Sequence, residues 1–375
     1  MRFIHTADWQ IGKPFRNFGE KDSVLRLARL SAIEAIGRLA AQEGAAHVLV
    51  AGDLYDNDAP AQKTLQEPLE RMRAFPAVNW HIIPGNHDYH RGNGLWDRAA
   101  AQGLPANVVF QLTAQPAALG EHAVLLPAPL RRRSEVNDLT EWMDEAPSAE
   151  GLMRIGLAHG SVTGFGSEGE AKNPIAADRA KRAGLDFLAL GDWHRTMKVT
   201  PSTWYAGTPE ADRFNSQETG QVLLVDIPAR GAPPTVTELR TGAYRWLTRQ
   251  EDVSGGHDLA GLESRLRAPA DLSRLLMRLT IKGTLDLTAR AELSDRIASL
   301  EAAMFWLEAG LDDLHLRPTD DDFAQIDFQG VLREAAELLK AEAENPASSA
   351  AERRRAGEAL VQLFVMTKDA KGQAA

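Results

Sequence analysis

Apolar positions along the chain follow two rhythms. Up to about residue 240, short apolar runs at 2–6, 47–51, 80–83, 108–111, 123–126, 154–158, 187–190 and 221–227 alternate with stretches whose apolar residues recur at helical spacing. The clearest helical stretch is SVLRLARLSAIEAIGRLAAQEG (23–44), which ends on Gly44. Strand, helix, strand and polar loop in repetition predict a layered α/β sheet structure. PARGAPP (228–234) has the composition of a linker, yet it lies between two β-like runs and reads equally as a hairpin loop. After about residue 243 the rhythm changes. LLMRLTIKG (275–283) predicts a strand, LTARAELSDRIASLEAAMFWLEAG (287–310) an amphipathic helix ended by Gly310, and DDLHLRP (312–318) a second strand. Two further helical patterns, 328–345 and 350–369, are split by Pro346-Ala347-Ser348-Ser349. The expected organisation is an α/β domain over 1–242, a small α+β domain over 243–325 and a helical tail over 326–375.

Composition narrows the class. The chain has 375 residues, 44% hydrophobic and 25% charged, as in a soluble globular protein with a large core. No apolar run approaches the ~18 residues of a membrane helix, and the start turns polar by His5, so neither a membrane span nor a signal peptide is expected. Cysteine is absent, which excludes disulfides and thiolate metal sites and fits a cytoplasmic protein. The net charge of −10 argues against a surface coated in basic patches. A nucleic-acid enzyme remains open, because bound metals and a local basic rim can supply the positive field.

The chemistry gathers at strand ends. HTADWQ places Asp8 and Gln10 after the first apolar run, and VLVAGDLYD places Asp53 and Asp56 after the second. HIIPGNHD adds Asn86, His87 and Asp88, IGLAHGS adds His159, and FLALGDWH adds Asp192 and His194. A single Asp at such a place is more often a turn former, and a single His more often a satisfied structural residue. In open α/β sheets, however, ligands collect at the carboxyl ends of strands, and five such ends point to one polar cluster. Oxygen and imidazole donors without sulfur suit Mn²⁺, Mg²⁺, Fe or Zn²⁺. So many donors exceed the needs of one ion and suit a pair of ions about 3.5–4 Å apart.

HTADWQ, GDLYD, GNHD, HGS and GDWH, in this order, resemble the motifs of the calcineurin-like metallophosphoesterases. With YAGTPEADRF (205–214), the chain is similar to the SbcD-type nuclease subunits of DNA double-strand-break repair. The resemblance spans about residues 1–215. It implies a four-layer αββα sandwich followed by a capping domain, and metal-assisted hydrolysis of a phosphodiester. It also implies that Asp53 bridges two metals, that Asp8 and His194 hold the first ion, and that Asn86 and His159 hold the second. His87 would face the substrate phosphate and Asp56 would orient it. DNA, a coiled-coil SMC-like ABC ATPase of the SbcC type docked on the tail through Leu360, Leu363 and Phe364, and a second copy of the chain are the implied partners.

Two positions depart from the family pattern. The family has D-x-H where this chain has Asp8-Trp9-Gln10, and G-H-x-H where it has Gly191-Asp192-Trp193-His194. Both substitutes carry an oxygen that can bind a hard cation. With Gln10 and Asp192 included, the expected site is an oxygen-richer two-ion centre that favours Mn²⁺, or Mg²⁺ or Fe, over Zn²⁺. Basic residues flank it. Lys13, Arg91 and Arg195 are the candidates for holding substrate, and Arg16, Lys198 and Arg131–Arg133 could track a DNA backbone or be solvated surface. Trp9 and Trp193 are expected to pack beneath the site rather than stack on bases. Two other readings stand beside the nuclease: a phosphodiesterase for small, cyclic-nucleotide-like substrates, and a DNA-binding subunit with a degenerate metal site.

Overall fold

The structure, a computed structural model, describes residues 1–164, 172–214, 220–326 and 330–373. It divides into two units, Met1–Arg213 with Gln217–Arg245, and Phe214–Ser216 with Trp246–Ala375. The first unit holds two six-stranded sheets. In the first sheet the strands run in the order Thr235–Arg240, Gln221–Asp226, Arg2–Thr6, His47–Ala51, Asn79–Ile83 and Val108–Phe110. In the second they run Met197–Thr200, Thr203–Tyr205, Phe187–Gly191, Met153–His159, Ala123–Ala128 and Ala117–Ala118.

Alternation decides how the sheets stack. Phe3, Leu49, Ala51 and Ile83 from the first sheet share one buried cluster with Leu125, Ile155, Leu157, Phe187 and Ala189 from the second, so the sheets pack face to face. The strands' other residues, Ile4, Val48, Val50 and Ile82, share a second buried cluster with Leu30, Ile33, Ile36 and Ala40 of the helix Asp22–Gln42. Val124, Leu126, Leu188 and Leu190 likewise pack outward on Met143, Ala180 and Ala183. Strands buried on both faces read as continuous apolar runs, which is why the sequence displays them so clearly. PARGAPP is the loop of an antiparallel hairpin, joining Gln221–Asp226 to Thr235–Arg240.

In the second unit the long strand Leu275–Leu285 pairs in parallel with Trp306–Gly310 and Leu314–Leu316. One expectation fails here. The helix begins at Leu287, where the Asp286 carboxylate accepts the Ala289 N–H at 2.7 Å, but it ends at Ala303 rather than at Gly310. Met304 turns extended (φ −87°, ψ 153°), and WLEAG continues as a strand registered Leu276 with Trp306. The i, i+3, i+4 pattern masked a segment whose aromatic residues suit an edge strand. The tail helices Val331–Glu344, through Ala336, and Ala350–Gln373, through Leu360, Val361 and Phe364, pack with Leu287 and Phe323. The start of the expected helix, Phe328 and Gln329, lies outside the described residues. The stripe expected to dock a partner is therefore largely internal, since Leu360 is 1% and Phe364 0% exposed. The outward apolar residues of these helices are Val331, Leu332, Leu338 and Met366 instead. No helix among the described residues is long and apolar enough to cross a membrane.

Candidate metal centre

The strand ends of the two facing sheets deliver the polar residues to one place. Gly191 makes the approach feasible, because a Cβ there would lie 2.0 Å from the Ala51 carbonyl oxygen. Gly52 (φ +86°) and Gly85 serve the same end: their Cβ atoms would meet the His159 ring at 2.4 Å and Asp53 Oδ1 at 2.2 Å. Four candidate ligands themselves take left-handed backbone conformations, Asp8 at φ 57°, Gln10 at 43°, Asp53 at 55° and Asp192 at 107°. Each costs about 1–3 kcal/mol, and such strain gathers where a side chain must be aimed.

Asp8, Asp53 and His159 are buried, with ligand atoms within 4.8 Å of one another. His159 Nδ1 donates to the Ala51 carbonyl at 2.8 Å, which turns Nε2 toward the carboxylates. That Nε2 lies 3.6 Å from Asp53 Oδ1 and 3.7 Å from Asp192 Oδ1, too far to hydrogen-bond, and it has no partner. Asn86 donates through Nδ2 to Asp192 Oδ1 at 3.2 Å, so its Oδ1 is left buried and unpaired as well. Two buried, unpartnered donor atoms set among three carboxylates fit a divalent cation. Electrostatics agrees. Burial and the neighbouring carboxylates push Asp8 up to about 6 against the pull of His194 and His159. Burial alone would lower His159, but Asp53, Asp8 and Asp192 together raise it to about 9. Buried carboxylates gathered around one imidazole are the charge arrangement that a cation would relieve.

The remaining contacts define the surroundings. Asp192 accepts from Ser161 Oγ at 2.9 Å and donates its own N–H to Asp8 at 3.2 Å. Asp53 Oδ1 accepts the His87 N–H at 2.9 Å, and His87 Nε2 stands 4.0 Å from Asp53 Oδ2. His87 is oriented from behind through Nδ1, but by the main-chain carbonyl of Asp56 at 2.9 Å. The expected carboxylate contact is thereby corrected: the turn geometry, not the Asp56 side chain, does the orienting. Asp88 of GNHD is a clamp. Its carboxylate accepts Gly85 N–H at 2.6 Å and Tyr55 N–H at 3.0 Å, tying two strand-end loops together. Burial and the Asp53 charge raise it to about 7.

Gln10 and His194 form a second group that meets the first at Asp8, whose burial His194 offsets more strongly than His159 does. Gln10 Nε2 lies 3.2 Å from His194 Nε2, and Lys13 Nζ donates to Gln10 Oε1 at 3.2 Å. His194 Nδ1 lies 3.2 Å from Asp212 Oδ2. Asp212 also pairs with Lys13, Arg29 and Arg213. Despite burial, these partners hold its carboxyl well below the usual range. Sequence reading passed over Asp212 and Ser161, although both lie in motifs it singled out. Only the burial of Arg29, which demands a counter-charge, could have pointed to Asp212. Among the proposed substrate contacts, Lys13 is engaged as above and Arg91 pairs with Asp58 at 3.2 Å. Arg195 stacks over Trp193 at 5.6 Å. Trp9 is buried, donating to Thr6 Oγ1 at 2.9 Å and edge-on to Trp80, while Trp193 packs on Tyr205.

A family model described as calcineurin-like phosphoesterase matches residues 1–214. Among solved structures, TT1561 of Thermus thermophilus is 15% identical with a TM-score of 0.41, covering 64% of this chain and 98% of its own. GAP50, described as the anchor in the inner membrane complex of Plasmodium, is 10% identical with a TM-score of 0.41, covering 64% of this chain and 84% of its own.

Proposed function

The chain belongs to the calcineurin-like phosphoesterase family, and from that premise we propose that it is a metal-dependent phosphodiesterase acting on DNA, a repair exo/endonuclease subunit of the SbcD type. The observation that carries the reading is the buried Asp8, Asp53 and His159 group, joined by the unpaired Asn86 Oδ1 and faced by His87. Asp8, Asp53, Asn86 and His159 would hold a divalent ion, with Asp192 beside them. Mn²⁺ is the proposed ion, since oxygen donors outnumber the single imidazole. When bound, such an ion supplies Lewis-acid neutralisation of phosphoryl oxygens and a lowered pKa for water.

The protein's own part is positioning. The His87 main chain holds Asp53 in place. The Asp56 carbonyl fixes the His87 ring through the Nδ1 hydrogen, so that in the imidazolium form the Nε2 hydrogen would be donated to a phosphoryl oxygen or passed to the leaving oxygen. Arg195, and the exposed Arg131, Arg132 and Arg133, would meet the phosphate backbone.

The proposed setting is cytoplasmic, with a coiled-coil ATPase of the SbcC type and a second copy as partners. The exposed tail residues Leu332 and Leu338 would face the ATPase, and Val24 and Leu27 of the helix Asp22–Gln42 the second copy. The test is cleavage of end-labelled linear duplex and single-stranded DNA with Mn²⁺, alongside Asp53→Asn. Cleavage lost in the variant supports the reading. Hydrolysis of cyclic nucleotides with DNA left intact, in the presence of the ATPase, would replace it with a small-substrate phosphodiesterase.

A further inference from the structure

The motifs imply two ions, but the charge around them is split unequally. On one side stand three carboxylates, Asp8, Asp53 and Asp192, with the unpaired His159 Nε2 and Asn86 Oδ1. On the other side Gln10 and His194 belong to a closed ring of hydrogen bonds. Lys13 Nζ donates to Gln10 Oε1, which orients the amide so that Nε2 donates to His194 Nε2 at 3.2 Å. His194 Nε2 is therefore the acceptor, and Nδ1 carries the hydrogen that Asp212 Oδ2 receives at 3.2 Å. Lys13 closes the ring on Asp212. Arg213 Nη2 lies beside the same ring, 3.1 Å from His194 Nδ1 and 3.4 Å from Nε2.

Two consequences follow. The only imidazole lone pair available to a first ion is already occupied by an amide N–H. An imidazole at position 10 could offer a lone pair of its own to a metal, whereas the amide here closes the ring and blocks the neighbouring one. The local charge is also uneven: Lys13, Arg29 and Arg213 outnumber Asp212 around His194, whereas Asp8, Asp53 and Asp192 face the single imidazole of His159. A divalent cation is drawn to the second place and repelled from the first.

We propose that this chain holds one resident divalent ion, on Asp8, Asp53, Asn86 and His159, and that the Gln10–His194–Asp212–Lys13 ring with Arg213 occupies the position of the other ion as a fixed cationic group. Asp212 is then a positioning residue, and Lys13 and Arg213 give a substrate phosphate the positive charge that a second metal would have given it. The inference rests on the phosphodiesterase reading for the purpose of the site, but the number of ions is measured separately.

The experiment is Mn²⁺ binding to the full chain, by equilibrium dialysis with metal analysis and by electron paramagnetic resonance. The expected result is one Mn²⁺ per chain, with the spectrum of an isolated ion. Gln10→His is expected to raise the stoichiometry to two and to give an exchange-coupled spectrum. His194→Ala provides an independent check: it is expected to leave the stoichiometry at one and the Kd within about threefold. Two Mn²⁺ of comparable affinity in the unmodified chain, or loss of one ion in His194→Ala, would overturn the proposal. Absence of phosphodiester hydrolysis at a stoichiometry of one would refute the functional reading while upholding the ion count.

Discussion

His5 offers a prediction that joins stability to the site. It lies on the strand Arg2–Thr6 that leads to Asp8, and its Nε2 donates across to the Leu190 carbonyl at 3.1 Å, on the strand that delivers Asp192. The ring is wholly buried, and its Nδ1 has no partner. Burial, only partly offset by the Leu190 carbonyl, pushes it down to about 3 from 6.5. Between those values the unfolded chain binds a proton that the folded chain refuses, so stability falls as pH falls. The full difference is about 3.5 pH units, or about 5 kcal/mol, and the part lost between pH 7 and pH 5 is about 2 kcal/mol. That is a sizeable fraction of a typical folding free energy of about 5–15 kcal/mol. His5→Gln keeps an amide donor for Leu190 but does not titrate. Urea unfolding at pH 7, 6 and 5 should show the unmodified chain losing about 2 kcal/mol more than His5→Gln over this range. His81, lowered to about 4 by burial, steepens both curves equally and cancels in the comparison. Parallel curves for the two proteins would refute the claim that His5 folds as a neutral, buried link between the sheets.

Other consequences are sharper at the site. Asp56→Ala should retain Mn²⁺-dependent hydrolysis to within about threefold, because His87 is oriented by the carbonyl of that residue; a loss of 10²-fold or more, in the range of a positioned acid–base partner, would restore the carboxylate to that role. Gly52→Ala should destabilise the fold by about 2–5 kcal/mol, the sum of a left-handed alanine and an overpacked His159 ring, with a thermal melt and a weakened Mn²⁺ affinity as readouts. Trp9→Ala removes a buried indole packed against Trp80 and should cost about 3–5 kcal/mol, measured by denaturant unfolding.

Much of this was legible in the sequence because of where the chemistry sits. Strands buried on both faces leave unbroken apolar runs, so the residue after each run could be located to within a position or two. That was enough to nominate Asp8, Asp53, Asn86, His159 and Asp192, which the fold brings together. What the strand pattern does not carry is side-chain pairing between residues far apart in the chain. The Gln10–His194 contact, the gathering of Lys13 and the buried Arg29 around Asp212, and the use of the Asp56 carbonyl in place of its carboxylate depend on tertiary packing. The helix boundary at Ala303 was missed for a different reason: Trp306 and Leu307 fit a helical period and a strand equally well, and pairing with Leu276 and Met277 decided between them.

The central claim is that the buried strand-end cluster is a metal centre that hydrolyses phosphodiesters. It is tested most directly with bis-p-nitrophenyl phosphate, using the chelator-stripped chain, the same protein after Mn²⁺ is restored, and Asp53→Asn under both conditions. The account predicts no turnover without metal, hydrolysis on restoring Mn²⁺, and at least a hundredfold less in Asp53→Asn. Hydrolysis that survives chelation, or that Asp53→Asn leaves unchanged, would contradict it.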